Sequence, residues 1–147
     1  MNYFKIRLEL EKLISPYITE FARKKKVPPP KFEFVLSMWY PEREMFDPCA
    51  IFSTSDKIIT FSTSYISLYF SVVKDFHSRS GAIDWLRSTV GHEFAHYLQD
   101  LEGKLASAET MTEEEISLIE KEADRRGCEL AGISLERYEQ LSKEISE

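Results

Sequence analysis

The run His92-Glu93-Phe94-Ala95-His96 sets two imidazoles and a carboxylate at a spacing suited to metal-assisted hydrolysis. Residues four apart on a helix stand one turn above each other, so both histidines can reach a single metal ion. Glu93 lies too far round the helix to be a third ligand. It can instead reach a water held by that ion and take its proton. The chemistry needs all three residues at this spacing.

A catalytic zinc site keeps three protein ligands and one open position. The chain has three histidines, none of them after His96, and the remaining one is His77. Gln99, Asp100 and Glu102 follow the motif, which excludes the longer HExxHxxGxxH pattern. The third ligand is therefore expected to be a carboxylate, and Glu120-Lys121-Glu122-Ala123-Asp124 offers one. Glu120 and Asp124 share one helix flank, whereas Glu122 is turned by roughly 200° from Glu120. Glu120 is the expected ligand and Glu122 is expected to be dispensable for the metal. Asp124 is one turn on, able to accept a hydrogen bond from the distal nitrogen of a ligand histidine and fix its tautomer. The other glutamates nearby, Glu113, Glu114 and Glu115, read as a solvated helix face.

These residues need two packed helices to hold them. Ile83, Leu86, Val90, Phe94, Tyr97 and Leu101 recur every three or four positions and predict an amphipathic helix around the motif. His92 and His96 then share the opposite face with Trp85, Thr89 and Gln99, the composition of a cleft wall. Thr112-Glu113-Glu114-Glu115 predicts a capping box opening a second helix, with Ile116, Ile119, Ala123 and Leu130 as its stripe and Gly132 at its end. Upstream, Leu10, Leu13, Ile14, Tyr17, Ile18 and Phe21 mark an N-terminal helical segment, 1–27, in which Ser15-Pro16 is either a kink or a fresh N-cap. Three strands are expected next, Lys31 to Met38, Cys49 to Thr54 and Lys57 to Ser62. A helix from Tyr65 to His77 follows, with Tyr65, Leu68, Tyr69, Val72, Val73 and Phe76 facing the core and Ser80-Gly81 breaking it from the motif helix. The last helix, 134–146, carries Leu135, Tyr138, Leu141 and Ile145. The order helix, sheet, helices predicts an α+β fold with a short three-stranded sheet beside the metal site.

In carrying HExxH on one helix and ExxAD on the next, the chain resembles the gluzincin metallopeptidases, and most of all minigluzincins and M48-type peptidase cores. The matching residues are His92, Glu93, His96, Glu120 and Asp124, and the resemblance spans about residues 50–131. It implies a small zincin-like domain with one zinc ion bound by His92, His96 and Glu120, and Glu93 as general base and acid. The expected partner is a peptide or protein substrate. Two other readings stand beside it, a regulatory peptidase specific for one protein and a non-catalytic zinc-stabilised binding module. The module would have no use for Glu93.

An extended substrate could add to a sheet edge near the metal, and Lys57 to Ser62 is either that edge or a central strand. His77, Tyr65 and Tyr69 are candidates for an oxyanion donor, although each also suits a structural role. At 147 residues with 43% hydrophobic content, the chain is expected to form one domain, 1–147. A formal charge of −6 leaves no basic face for nucleic acid. Arg23 to Lys26 is the one basic run and suits a helix C-terminus. No apolar stretch spans a membrane and the N-terminus is not a signal peptide, so a cytoplasmic location is expected. Cys49 and Cys128 are expected to be reduced and buried, although a thiol could in principle close the open metal position.

Overall fold

The computed structural model describes residues 3–36, 39–40, 45–46, 49–106 and 110–146. Among these residues, five helices and a small three-stranded sheet give an α+β fold, and a pair of two-residue antiparallel strands forms a separate sheet.

Helix α1 (Tyr3–Lys25) buries Leu10, Ile14, Ile18 and Phe21 and continues through Pro16, which is exposed. The proline ring removes one backbone hydrogen bond on the wet side, where water can satisfy the freed carbonyl. Arg23, Lys24 and Lys25 fall in the last turn as expected. Strand β1 (Lys31–Val35) ends earlier than the alternation suggested, and Ser37 and Met38 lie outside the described residues. The hairpin of β2 (Trp39–Tyr40) and β3 (Met45–Phe46) has no counterpart in the sequence reading.

Strands β4 (Ala50–Ser53) and β5 (Ile58–Ser62) are antiparallel, and β1 pairs parallel to the other side of β5. The order β1-β5-β4 makes Lys57 to Ser62 the centre of the sheet and not an edge. Alternation of apolar and polar residues is the same in both places, because it records the faces of a strand and not which of its edges is paired. Strand β4 is the edge that meets the helices, packing Phe52 against Tyr97 at 6.1 Å between ring centres.

Helix α2 (Thr63–Phe76) follows β5 without a loop and is pinned to the end of β1 by the Thr63 hydroxyl donating to the Val35 carbonyl. Ile66 and Val73 face the core, while Leu68 and Phe76 are 54% and 67% exposed, contrary to the expected stripe. The helix carries two overlapping apolar registers, and packing against the next helix chose the one through Ile66, Tyr69 and Val73.

Helix α3 (Arg79–Leu101) starts at the Ser78 cap, whose side chain accepts from the Gly81 amide, so Ser80-Gly81 belongs to its first turn and breaks nothing. This helix is central, touching α1, α2, α4 (Glu113–Ala131), α5 (Leu135–Ser146) and β4. It is therefore buried on nearly every side and not amphipathic as expected. Trp85 packs edge-on against Tyr69 and Gln99 is fully buried, whereas Leu101, at the end of the expected core stripe, is 52% exposed. Arg87 ties three helices together, donating to Glu20 of α1 and to the Ala131 carbonyl of α4 at 2.8 Å.

Helix α4 has the expected reciprocal capping box of Thr112 and Glu115 and ends at Gly132, which adopts the left-handed conformation at φ 73°. Its crossing with α3 is unusually close. A Cβ added at Gly127 would stand 2.5 Å from the His92 backbone nitrogen, and one at Gly91 would fall on the Gly127 carbonyl. Gly127→Ala should therefore destabilise the fold by about 1–3 kcal/mol through overpacking, even though alanine favours a helix by about 1 kcal/mol. Chemical denaturation checks this, and a stabilised variant would show that the crossing is looser than described.

Candidate metal centre

His92 and His96 project from one face of α3 with their Nε2 atoms 3.1 Å apart. Glu120 of α4 reaches across, its Oε2 3.1 Å from His92 Nε2 and its Oε1 3.2 Å from His96 Nε2. A tetrahedral ion with bonds of about 2.0–2.1 Å separates its donors by roughly 3.3 Å. The two imidazoles and the carboxylate therefore stand at the mutual spacing such an ion requires. Among the described residues they form a group that could hold a metal ion.

The outer ring nitrogens are also occupied. His92 Nδ1 lies 2.7 Å from Asp124 Oδ1, and His96 Nδ1 lies 2.8 Å from Gln99 Oε1. An acceptor at Nδ1 holds a proton there and turns the Nε2 lone pair toward the centre, which is the tautomer a metal ligand needs. Asp124 is thus where the sequence reading put it. Gln99 is a partner that reading missed, although its position three residues after His96 on the same face was the available signal.

The electrostatics describe a cluster held by protons when no metal is bound. Burial disfavours the His92 imidazolium, but hydrogen bonds to Asp124 and Glu120 and the charge of Glu93 outweigh it and raise the pKa to about 10. Burial likewise opposes the charged form of His96, and Glu120 and Glu93 again prevail and raise its pKa. The same two imidazoles hold the Glu120 carboxyl well below the usual carboxylate range.

The cluster borders a cavity of about 570 Å³. His92, Glu93 and His96 line it from α3, Ala50 and Phe52 from β4, and Ile116 and Glu120 from α4. Glu93 is only 7% exposed and stands outside the group of three donors. Glu122 points away from that group and binds Gln99, Lys104 and Arg126. His77, Tyr65 and Tyr69 do not line this cavity. Tyr138 of α5 does, a residue the sequence reading had assigned to the apolar stripe of its helix. Cys49 is buried in the cavity wall, and burial pushes the Cys128 thiol up to about 11. Neither sulfur is part of the donor group, and no helix of the described residues is long and apolar enough to cross a membrane.

No protein-family model, curated protein or solved structure matches the chain. The candidate metal centre stands on its geometry.

The raised pKa of His92 has a signed consequence. A proton bound more tightly in the folded state stabilises the metal-free fold fully below about pH 6.5, and this contribution is lost as pH rises through about 10. A divalent ion would have to displace that proton, so its affinity should climb as pH rises towards about 10 and binding should release protons. Calorimetry in buffers of different ionisation enthalpy measures this release. Metal uptake without proton release would mean that the imidazoles are already neutral.

Proposed function

We propose that the chain is a zinc-dependent metallopeptidase of gluzincin type, hydrolysing peptide bonds with Glu93 as general base and acid. The observation that carries this reading is the convergence of His92, His96 and Glu120 on one point at the margin of a cavity that Glu93 also lines. Two imidazoles and one carboxylate suit zinc, which takes nitrogen and oxygen donors in a tetrahedral set. Bound there, zinc would supply Lewis acidity, lowering the pKa of water and polarising the scissile carbonyl. Glu93 takes the proton of the attacking water and delivers it to the leaving nitrogen. Asp124 and Gln99 keep both imidazoles facing the same point while this happens.

The peptide itself is best accommodated along β4. That strand is hydrogen-bonded to β5 on one side and borders the cavity, and among the described residues no strand pairs with its other edge, to which an extended chain could add. Ile51, Phe52, Leu105 and Ile116 give the cavity apolar walls for the side chains flanking the scissile bond. The cavity beside the three donors also favours an enzyme over a purely structural zinc site, in which four protein ligands enclose the ion.

Metal analysis of the purified protein should find one zinc per chain. His92→Ala or His96→Ala should abolish stoichiometric zinc, Glu120→Ala should weaken it greatly, and Asp124→Ala should cost about 10-fold to 100-fold in affinity. Zinc retained in full by Glu120→Ala would remove that residue from the ligand set.

Glu93→Gln keeps the side-chain shape but removes the base. It should retain zinc and folding while cleavage of a broad peptide library falls by about 100-fold or more. Cleavage by this variant as fast as wild type, or a library left intact by the zinc-loaded wild type, would overturn the general peptidase mechanism.

A further inference from the structure

Gln99 is fully buried between α3 and α4 and uses both ends of its amide. Its Oε1 faces His96 Nδ1 at 2.8 Å, while its Nε2 donates to the Ile119 carbonyl at 3.0 Å and to Glu122 Oε1 at 3.2 Å. An amide has two orientations, but here one end meets only acceptors, a backbone carbonyl and a carboxylate. The NH₂ group must point there, which leaves the amide oxygen for His96. That oxygen can only accept, so His96 Nδ1 carries a hydrogen and Nε2 is the atom available to a metal. Glu122 is itself held by Lys104 Nζ at 3.1 Å and by Arg126 Nη1 at 3.3 Å, and Arg126 also grips Glu102 at 2.7 Å.

We infer that Gln99 and Glu122 form a positioning chain for His96, in which Glu122 orients the buried amide and the amide fixes the tautomer and direction of the second histidine. The two histidines are thus positioned differently. His92 meets a carboxylate of α4 directly, whereas His96 meets a neutral amide on its own helix that is polarised by a carboxylate of α4. Hydrogen bonds in such a chain strengthen one another where water is excluded. Glu122 is not a ligand, but neither is it dispensable, because it acts on the metal centre through one intermediate. The expectation drawn from its angle on the helix is revised accordingly.

The inference rests on the metal-centre reading, and zinc affinity by chelator competition tests the two separately. Gln99→Leu, similar in size but without the amide, should weaken zinc by about 10-fold to 100-fold, the range for losing an outer partner of a ligand histidine. Glu122→Ala removes a partner one step further from the ligand and should weaken it by less, up to about 10-fold, read on protein whose folding is checked by its melting temperature. Glu122→Gln still presents an oxygen to the Gln99 amide and should recover most of that loss. The visible spectrum of the cobalt-substituted protein should shift in Gln99→Leu, a change that a merely structural role would not produce. Wild-type affinity in both Gln99→Leu and Glu122→Ala, whatever their melting temperatures, overturns the chain. Equal weakening in Glu122→Gln and Glu122→Ala overturns the Glu122 step. A wild type that takes up no zinc overturns the metal-centre reading and this inference with it.

Discussion

The close approach of α3 and α4 at Gly91 and Gly127 sets the geometry on which the candidate metal centre depends. Neither position has room for a Cβ, and the backbone of one helix lies against the other beside His92. Glycine in a helix interior costs roughly 1 kcal/mol, so two at one crossing weaken both helices locally. What they permit is reach. Asp124 lies one turn before Gly127 on α4 and Glu120 one turn before that, so short carboxylate side chains from that helix meet imidazoles that begin one residue after Gly91. With side chains at the crossing the axes would move apart, and both contacts, at 2.7 Å and 3.1 Å, would open.

A second constraint follows from what is gathered at that crossing. Glu93, Glu120 and Asp124 all line the cavity with His92 and His96, with Glu93 buried and the other two carboxylates partly open to water. Carboxylates this close repel, and the arrangement is favourable only with compensating positive charge, either protons on the imidazoles or a divalent ion. The raised histidine pKa values and the depressed Glu120 pKa are two sides of that balance. Folding and protonation are therefore coupled, and an ion held by the three donors would compete with those protons. The ion pairs of Glu122, Lys104, Arg126 and Glu102 fasten the helices outside the cluster, where water screens them and the cost of charge burial is smaller.

Local signals in the sequence were read correctly where one segment contains the whole cause. The Thr112–Glu115 box and the Gly132 terminus satisfy backbone groups within a few residues, and each appears in the structure as expected. The three strands appear as well, though with different ends. The errors fall where a second element decides. Helix α2 turned to bury Ile66 in preference to Leu68. Whether β5 would be an edge or a centre was open in its alternation and was decided by its pairing between β1 and β4. Leu101 was assigned to the core and is exposed, since α3 extends past the layer it packs against.

The sequence by itself determined the chemical types and helical spacing of the three donors and the partner of one of them, His92 and His96 one turn apart and Glu120 and Asp124 one turn apart, because helix geometry is the same in any protein. It did not contain the distance between the two helices, nor which strand would border the cavity, nor that Tyr138 would enter it from α5. It also gave no reason to join Glu122 to His96, since that link passes through a buried amide making contacts 20 and 23 residues away in the chain. These are decided by tertiary structure. Periodicity records which face of a segment is apolar, whereas the close packing of several segments at once selects the partner of each face and the reach of each side chain.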